Sequence, residues 1–205
     1  MRSWLALYGC ALPRRRSPGW WTRVRDWAGA CVPSALQTRL ARAEARRALL
    51  DAQIGELDAQ QHAAAATAAG DSALGRLVRL KGVAATSAAI VLEEGLVWRA
   101  FRNRREVGGL LGFAPTPYDS GAQHREQGIS RAGNARLQAV SIQLAWNWVR
   151  WQPASALTRW YRERFARTKR LRRLGIVAVA RRLMIVLWRY ATTGLLPADV
   201  IVKVA

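Results

Sequence analysis

Between Pro115 and Asn134 the chain reads P-T-P-Y-D-S-G-A-Q-H-R-E-Q-G-I-S-R-A-G-N, a polar stretch set between two strongly helical regions. Tyr118, Ser120, His124, Arg125, Ser130, Arg131 and Asn134 place hydroxyl, imidazole, guanidinium and amide groups on a backbone punctuated by Gly121, Gly128 and Gly133. A polar loop of this length is functional or disordered more often than it is a plain connector. We read it as a loop that engages a phosphate, with Ser120 as the candidate nucleophile and Arg125, Ser130, Arg131 and Asn134 around the anion. A serine attacking a phosphodiester needs its proton removed and the phosphate charge neutralised. Asp119, His124 and Arg125 are sequence neighbours able to help. The bland alternative is that Asp119-Ser120-Gly121 is simply a turn.

Charge says what such a loop would meet. The 205 residues carry a formal charge of +20, almost all of it from arginine, whose planar fork matches phosphate oxygens. From Arg159 to Arg173 the chain reads R-W-Y-R-E-R-F-A-R-T-K-R-L-R-R, with Glu163 its one acid. Arg159, Arg162, Arg167, Lys169, Arg170, Arg172 and Arg173 are therefore expected on a DNA or RNA backbone rather than merely facing solvent. The acids elsewhere do not converge. Asp26 stands alone, Glu44, Asp51, Glu56 and Asp58 lie in a charged helical run, and Glu93-Glu94 ends a helix, so no internally complete metal site is expected. Cys10, Cys31, His62 and His124 have no zinc-like spacing, and a reducing cytoplasm suits two cysteines best. The opening MRSWLALYGCA only superficially imitates a lipoprotein signal: its apolar run is short and Arg14, Arg15 and Arg16 follow at once. No membrane span is expected, because Arg181 and Arg182 interrupt the most apolar region.

The elements that must position these groups read as all-α. Residues 1–33 form an irregular connector rich in Trp and Arg, without a sustained period. Ser34 with Gln37 makes a capping pattern, and Leu36, Leu40, Ala43, Arg47, Leu50, Ile54 and Leu57 follow at alternating spacings of four and three. Residues 34–69 thus read as a coiled-coil-like helical linker, either packed on its own domain or forming a hairpin or a dimerising coil. Leu74, Leu77 and Leu80 lead into Lys81-Gly82-Val83-Ala84 and a second helix, a helix-hairpin-helix-like element in which Lys81 and Gly82 would approach a phosphate. Ala84 stands where such a hairpin usually has its second glycine, so an ordinary helix pair is the alternative. Asn103 with Glu106 opens a short helix. Beyond the polar stretch, Leu137, Val140, Leu144, Trp148 and Trp151, then Leu157, Trp160, Tyr161 and Phe165, then Leu174, Val177, Ala180, Met184, Leu187 and Trp188, mark three further helices. The main domain is expected over 70–195, with a tail at 196–205.

The runs G-F-A-P-T-P-Y-D-S-G (112–121) and R-E-Q-G-I-S-R-A-G-N (125–134), with L-V-R-L-K-G-V before them and L-T-R-W-Y-R-E-R-F after, resemble the C-terminal, serine-bearing transposase domain of the IS-one-ten type (IS116/IS110/IS902) insertion-sequence family. The resemblance covers roughly residues 74 to 193, and several motifs recur in order. It implies an N-terminal RuvC-like domain with a DEDD set of metal-binding acids, a coiled coil, and then this domain. The activity it implies is site-specific DNA strand exchange in which a serine becomes covalently joined to DNA. Mg²⁺ would sit at the acidic domain, and a bridging noncoding RNA would choose target and donor. Carried over by position, the nucleophile is Ser120, while Ser130 caps the following helix and positions phosphate. These residues contain no DEDD domain. The expectation is a chain that binds DNA or RNA, forms homo-oligomers through its coil, holds no cofactor itself and does not exchange strands unaided. The alternative is a stand-alone basic nucleic-acid-binding protein regulating a mobile element.

Overall fold

The computed structural model describes residues 1–120, 123–129 and 132–203, and for 115–120 and 123–128 the backbone alone. Two compact units divide it, Met1–Ala59 and Gln60–Ala205.

The first unit forms a small core out of irregular chain. Helix α1 (Arg2–Ala6), a 3-10 turn at Trp20–Arg23 and the first turns of α2 (Ser34–Thr67) bring together Leu5, Trp20, Val24, Val32, Leu36 and Leu40. The absence of a period in residues 1–33 thus reflects tryptophan anchors hung on turns. The Arg39 guanidinium lies over the Trp4 ring at 4.0 Å, which uses an arginine stem to cover apolar surface. Ser34 is the first helical residue rather than the cap. The Pro33 carbonyl accepts from the amides of Leu36 and Gln37, and the Gln37 side chain donates back to the Val32 carbonyl at 2.9 Å.

Along α2 the heptad seam divides in two. Leu36 and Leu40 are buried, whereas Leu50, Ile54 and Leu57 are exposed. Arg47 occupies its seam position by pairing within the helix: it donates to Glu44 at 2.9 and 2.7 Å and also pairs with Asp51. These hydrogen bonds, backed by the charges of Arg47 and Arg16, hold the Glu44 carboxyl below its ordinary range.

The second unit is built around α8 (Lys169–Thr193), which touches α3 (Ala73–Arg79), α5 (Arg104–Leu110), α6 (Ala135–Trp151) and α7 (Ala156–Phe165). Its buried face is Ile176, Val179, Ala180, Leu183, Met184, Leu187, Tyr190 and Ala191. Each fully buried Leu on such a face contributes about 1.5–3 kcal/mol. The expected stripe was rotated at its start: Leu174 is 58% exposed, because the packed face begins at Gly175 and Ile176. Leu137, Leu144, Ala145 and Trp148 of α6 complete the core, while Trp151 stays outside. Helix α4 (Ala85–Val91) runs into a π-helical turn at Leu92–Leu96.

The helical class expected from the sequence is the class observed, with one local departure. The stretch read as a loop is a two-stranded antiparallel hairpin, β1 (Pro115–Ser120) and β2 (Gln123–Ile129). Neither segment alternates apolar with polar residues, and Pro115, Asp119 and Gly128 are poor strand formers, so periodicity could not reveal the pairing.

The residues read as a tail close the fold. Gln152, wholly buried, accepts from the Ile201 amide and donates to the Lys81 and Ile201 carbonyls, each at 2.7 Å. Leu80 and Val202 form an antiparallel bridge, and the Lys203 ammonium donates to the Val83 carbonyl at 2.8 Å.

Two outcomes follow from these contacts. Gln152→Leu removes three hydrogen bonds and takes their side-chain partner from the Lys81 carbonyl and the Ile201 amide, while the Ile201 carbonyl keeps the Lys81 amide. It is expected to destabilise the second unit by about 2–4 kcal/mol, read by denaturant unfolding. A lowered carboxyl contributes stability that is complete above the unfolded value and is lost as the pH falls through the folded one. The first unit should therefore weaken on acidification below the ordinary glutamate range, and Glu44→Gln should remove part of that dependence in pH-resolved thermal melts.

Candidate nucleic-acid interface

The hairpin that carries Ser120 is anchored where the chain enters and leaves it. A Cβ at Gly133 would lie 2.5 Å from both the Gly112 amide nitrogen and the Leu110 carbonyl oxygen, so only glycine lets the leaving strand cross the end of α5 there. The Asn134 amide then donates to that Leu110 carbonyl at 3.2 Å, and the Gln138 side chain donates to the Leu111 carbonyl at 3.2 Å. Asn134 is also the cap of α6: its side-chain oxygen accepts from the amides of Arg136 and Leu137, both at 3.0 Å. Its side-chain nitrogen donates to Glu94 at 3.0 Å, and Arg136 pairs with the other Glu94 oxygen at 2.7 Å. Glu94 therefore holds the hairpin's exit against the π turn.

Within the hairpin the backbone register pairs Tyr118 with Arg125, Asp119 with His124 and Ser120 with Gln123. Ser120 is the last residue of β1. The side chains of Ser120 and Arg125 lie outside the described residues, as do Ser130 and Arg131 entirely. The cap expected of Ser130 is supplied to α6 by Asn134.

The helix-hairpin-helix-like element turns much of its backbone inward. Gly82 takes φ +95° and packs on α6, where a Cβ would sit 3.3 Å from the Asn147 carbonyl oxygen and the Trp151 Cβ. The Lys81 amide donates to the Ile201 carbonyl at 3.0 Å, and that of Val83 to the Leu80 carbonyl at 3.2 Å. The exposed Lys81 ammonium lies 5.6 Å from the Trp151 ring centroid, with Arg150 at 5.3 Å from the same ring. Lys81 thus belongs to a cationic and aromatic patch on the α6 side.

The basic run occupies the end of α7, the turn after it and the start of α8. Arg162, Arg167, Lys169, Arg170, Arg172 and Arg173 are all exposed. Arg159 pairs with Asp199 at 3.0 Å, and Arg172 donates to the Ala166 carbonyl at 3.0 Å. Among the described residues, Arg162, Arg167, Lys169, Arg170 and Arg173 have no ion-pair partner, which leaves their charge for an external anion.

Sequence reading missed a second concentration of arginine. Arg104 and Arg105 on α5 and Arg181 and Arg182 on α8 line a cleft of about 700 Å³ together with Trp160 and Phe165 of α7. The four arginines come from segments far apart in the chain, and only the packing of α5 and α7 on α8 assembles them. Among the described residues no group of three or more His, Cys, Asp or Glu side chains could hold a metal ion.

The comparisons with known proteins bear on what such a domain is. Residues 75–161 match the family described as Transposase IS116/IS110/IS902 family. The chain is 36% identical over 191 residues to the "Putative transposase y4rJ" of Sinorhizobium fredii (strain NBRC 101917 / NGR234), an alignment covering 88% of this chain and 48% of that protein. The matched residues, from α3 through the rooted hairpin to α7, form a transposase domain within the helical unit. More particularly, the chain carries the C-terminal transposase domain of the IS116/IS110/IS902 insertion-sequence family. It spans about half the length of the curated relative it matches.

Asn134→Ala removes a helix cap and the link to Glu94 together. It is expected to cost about 1–2 kcal/mol of stability and to raise amide exchange at the start of α6. Asn134→Asp keeps the cap acceptor but places a carboxylate against Glu94, and should recover only part of the loss.

Proposed function

We propose that this chain is the DNA-binding, serine-bearing part of an insertion-sequence transposase, with Ser120 as the nucleophile of site-specific strand exchange. The observation that carries the reading is the coincidence of the family domain at 75–161 with a hairpin rooted at Gly133 and Asn134, whose first strand ends at Ser120. The step is a transesterification. Ser120 Oγ gives up its proton and forms a bond to phosphorus, the bond from phosphorus to one sugar oxygen breaks, and that oxygen takes up a proton. One phosphodiester replaces another, so the reaction needs no external energy source. Arg125, Ser130, Arg131 and Asn134 are assigned to the scissile phosphate, and Lys81, Gly82 and the 159–173 run to the flanking backbone.

Mg²⁺ belongs to the same proposal through the family, yet the described residues offer no cluster that fits it. We assign the metal-holding acids to other parts of a complete transposase and infer that this chain alone binds without exchanging strands. A bridging noncoding RNA and a second copy of the chain are the further partners proposed. The exposed Leu50, Ile54 and Leu57 on α2 support the second of these. No helix among the described residues is long and apolar enough to cross a membrane.

Binding should be strongly salt-dependent. With about six phosphates neutralised, affinity for duplex DNA should fall about a thousandfold between 50 and 200 mM salt, and R170E/R173E should flatten the slope by about two contacts. A flat response would sink the backbone-contact assignment. Incubated with labelled DNA and Mg²⁺, the chain alone should give no covalent adduct. In a full-length protein of the family built with this domain, an adduct should form and be abolished by Ser120→Ala. An adduct formed by the isolated chain and lost in Ser120→Ala would overturn the inference that it needs a partner, and one indifferent to Ser120→Ala would overturn the nucleophile.

A further inference from the structure

The cleft between α5, α7 and α8 has features that the exposed basic run lacks. It is concave, about 700 Å³ in volume, and lined by four guanidinium groups and two aromatic rings without a carboxylate among them. Its arginines are also positioned. The Arg182 guanidinium lies over the Trp160 ring, 3.8 Å from its centroid, and Phe165 meets Trp160 edge-on at 5.2 Å. An arginine stacked in this way loses freedom about its long stem while keeping its in-plane N–H donors available. Arg181 Nη1 donates to the Phe113 carbonyl at 3.4 Å, and a Cβ at Gly108 would lie 3.0 Å from Arg181 Nε, so this side chain is seated against α5. Phe113 is two residues ahead of β1, so the cleft adjoins the root of the hairpin.

We propose that this cleft takes one or two unpaired nucleotides of a DNA strand. Arg104, Arg105 and Arg181 would meet phosphate oxygens, and the Trp160–Arg182 pair would supply a stacking surface for a base. Two observations favour an unpaired strand over a duplex, and a third favours nucleic acid in general. A duplex lies on an exposed basic ridge such as 159–173 but does not enter a hollow of this volume. The ring and stacked guanidinium present a flat π surface, which a base offers only when it has left its own stack. The absence of carboxylates from the lining suits a polyanion throughout. The inference rests on the DNA-binding reading above and deepens it, by giving unpaired and duplex DNA separate places on the domain.

The test uses the full chain and two labelled probes at matched salt, a poly-thymidine strand of about ten nucleotides and a short blunt duplex, read by fluorescence anisotropy. R104E/R182E should weaken the single strand about tenfold or more while changing duplex affinity less than about threefold, as expected when a stacked base and its phosphate contacts are lost. R170E/R173E should show the reverse preference. Arg182→Lys keeps the charge but not the planar stack, and should lose most of the single-strand affinity with an unchanged thermal midpoint. Photocrosslinking through 5-iododeoxyuridine in the strand should map to the peptide containing Trp160. The inference is overturned if the cleft variants weaken both probes equally or neither, if the crosslink maps elsewhere, or if a single-stranded RNA of the same length displaces the DNA strand at lower concentration. A chain that binds neither DNA probe overturns the DNA-binding reading itself, an outcome distinguishable from the others.

Discussion

Where the chain leaves the hairpin, Gly133 passes so close to the end of α5 that any side chain would collide with three backbone atoms, of Leu110, Leu111 and Gly112. Much of the second unit's geometry follows from that crossing. It fixes the separation of the hairpin's entry, at Phe113, from its exit, at Asn134, and it delivers Asn134 to the position where a single amide can cap α6 and hold Glu94. Because α5 packs on α8, the root of the hairpin inherits its position from the longest helix of the unit. The polar strands need no apolar face of their own to be placed, since the constraint lies beneath them.

Charge is distributed by a related logic. Three of the thirteen acids sit at joints: Glu44 within α2, Glu94 between the π turn and α6, and Asp199 against Arg159. Each neutralises arginines that the fold must keep in place. Two groups of arginines lie apart from those joints, one along the 159–173 ridge and one in the α5–α7–α8 cleft, whose lining holds no carboxylate. Part of the net charge of +20 is thus concentrated on two differently shaped positive surfaces.

Much of the helical architecture was legible because it is local. The cap at Asn103 shows in the structure as its side-chain oxygen accepting from Arg105 and Glu106, and Leu137, Leu144 and Trp148 fall on the buried side of α6 by their spacing. What stayed hidden depends on residues distant in sequence. The hairpin is a pairing of two segments that each lack a strand signature. Gln152 is indistinguishable in sequence from a surface glutamine, yet three backbone groups converge on it. Arg181 and Arg182 read as interruptions of an apolar run until α5 and α7 bring Arg104, Arg105 and Trp160 alongside. Gly133 lies in a stretch that reads as a phosphate-engaging loop, and its observed neighbours are the backbone at the end of α5.

The Gln152 clamp also bears on how the second unit comes into being. Its partners at Ile201 follow every helix of the unit in the order of synthesis, and so does Lys203, which covers the Val83 carbonyl. On a translating ribosome, all the helices can emerge and begin to pack while the turn at Lys81–Val83 still has water on its open polar groups. The unit closes only when residues 201–203 are free to reach back across it. Completion of the fold is thereby coupled to the release of one short segment, and a nascent chain arrested before that point would carry a formed core with an unsealed seam.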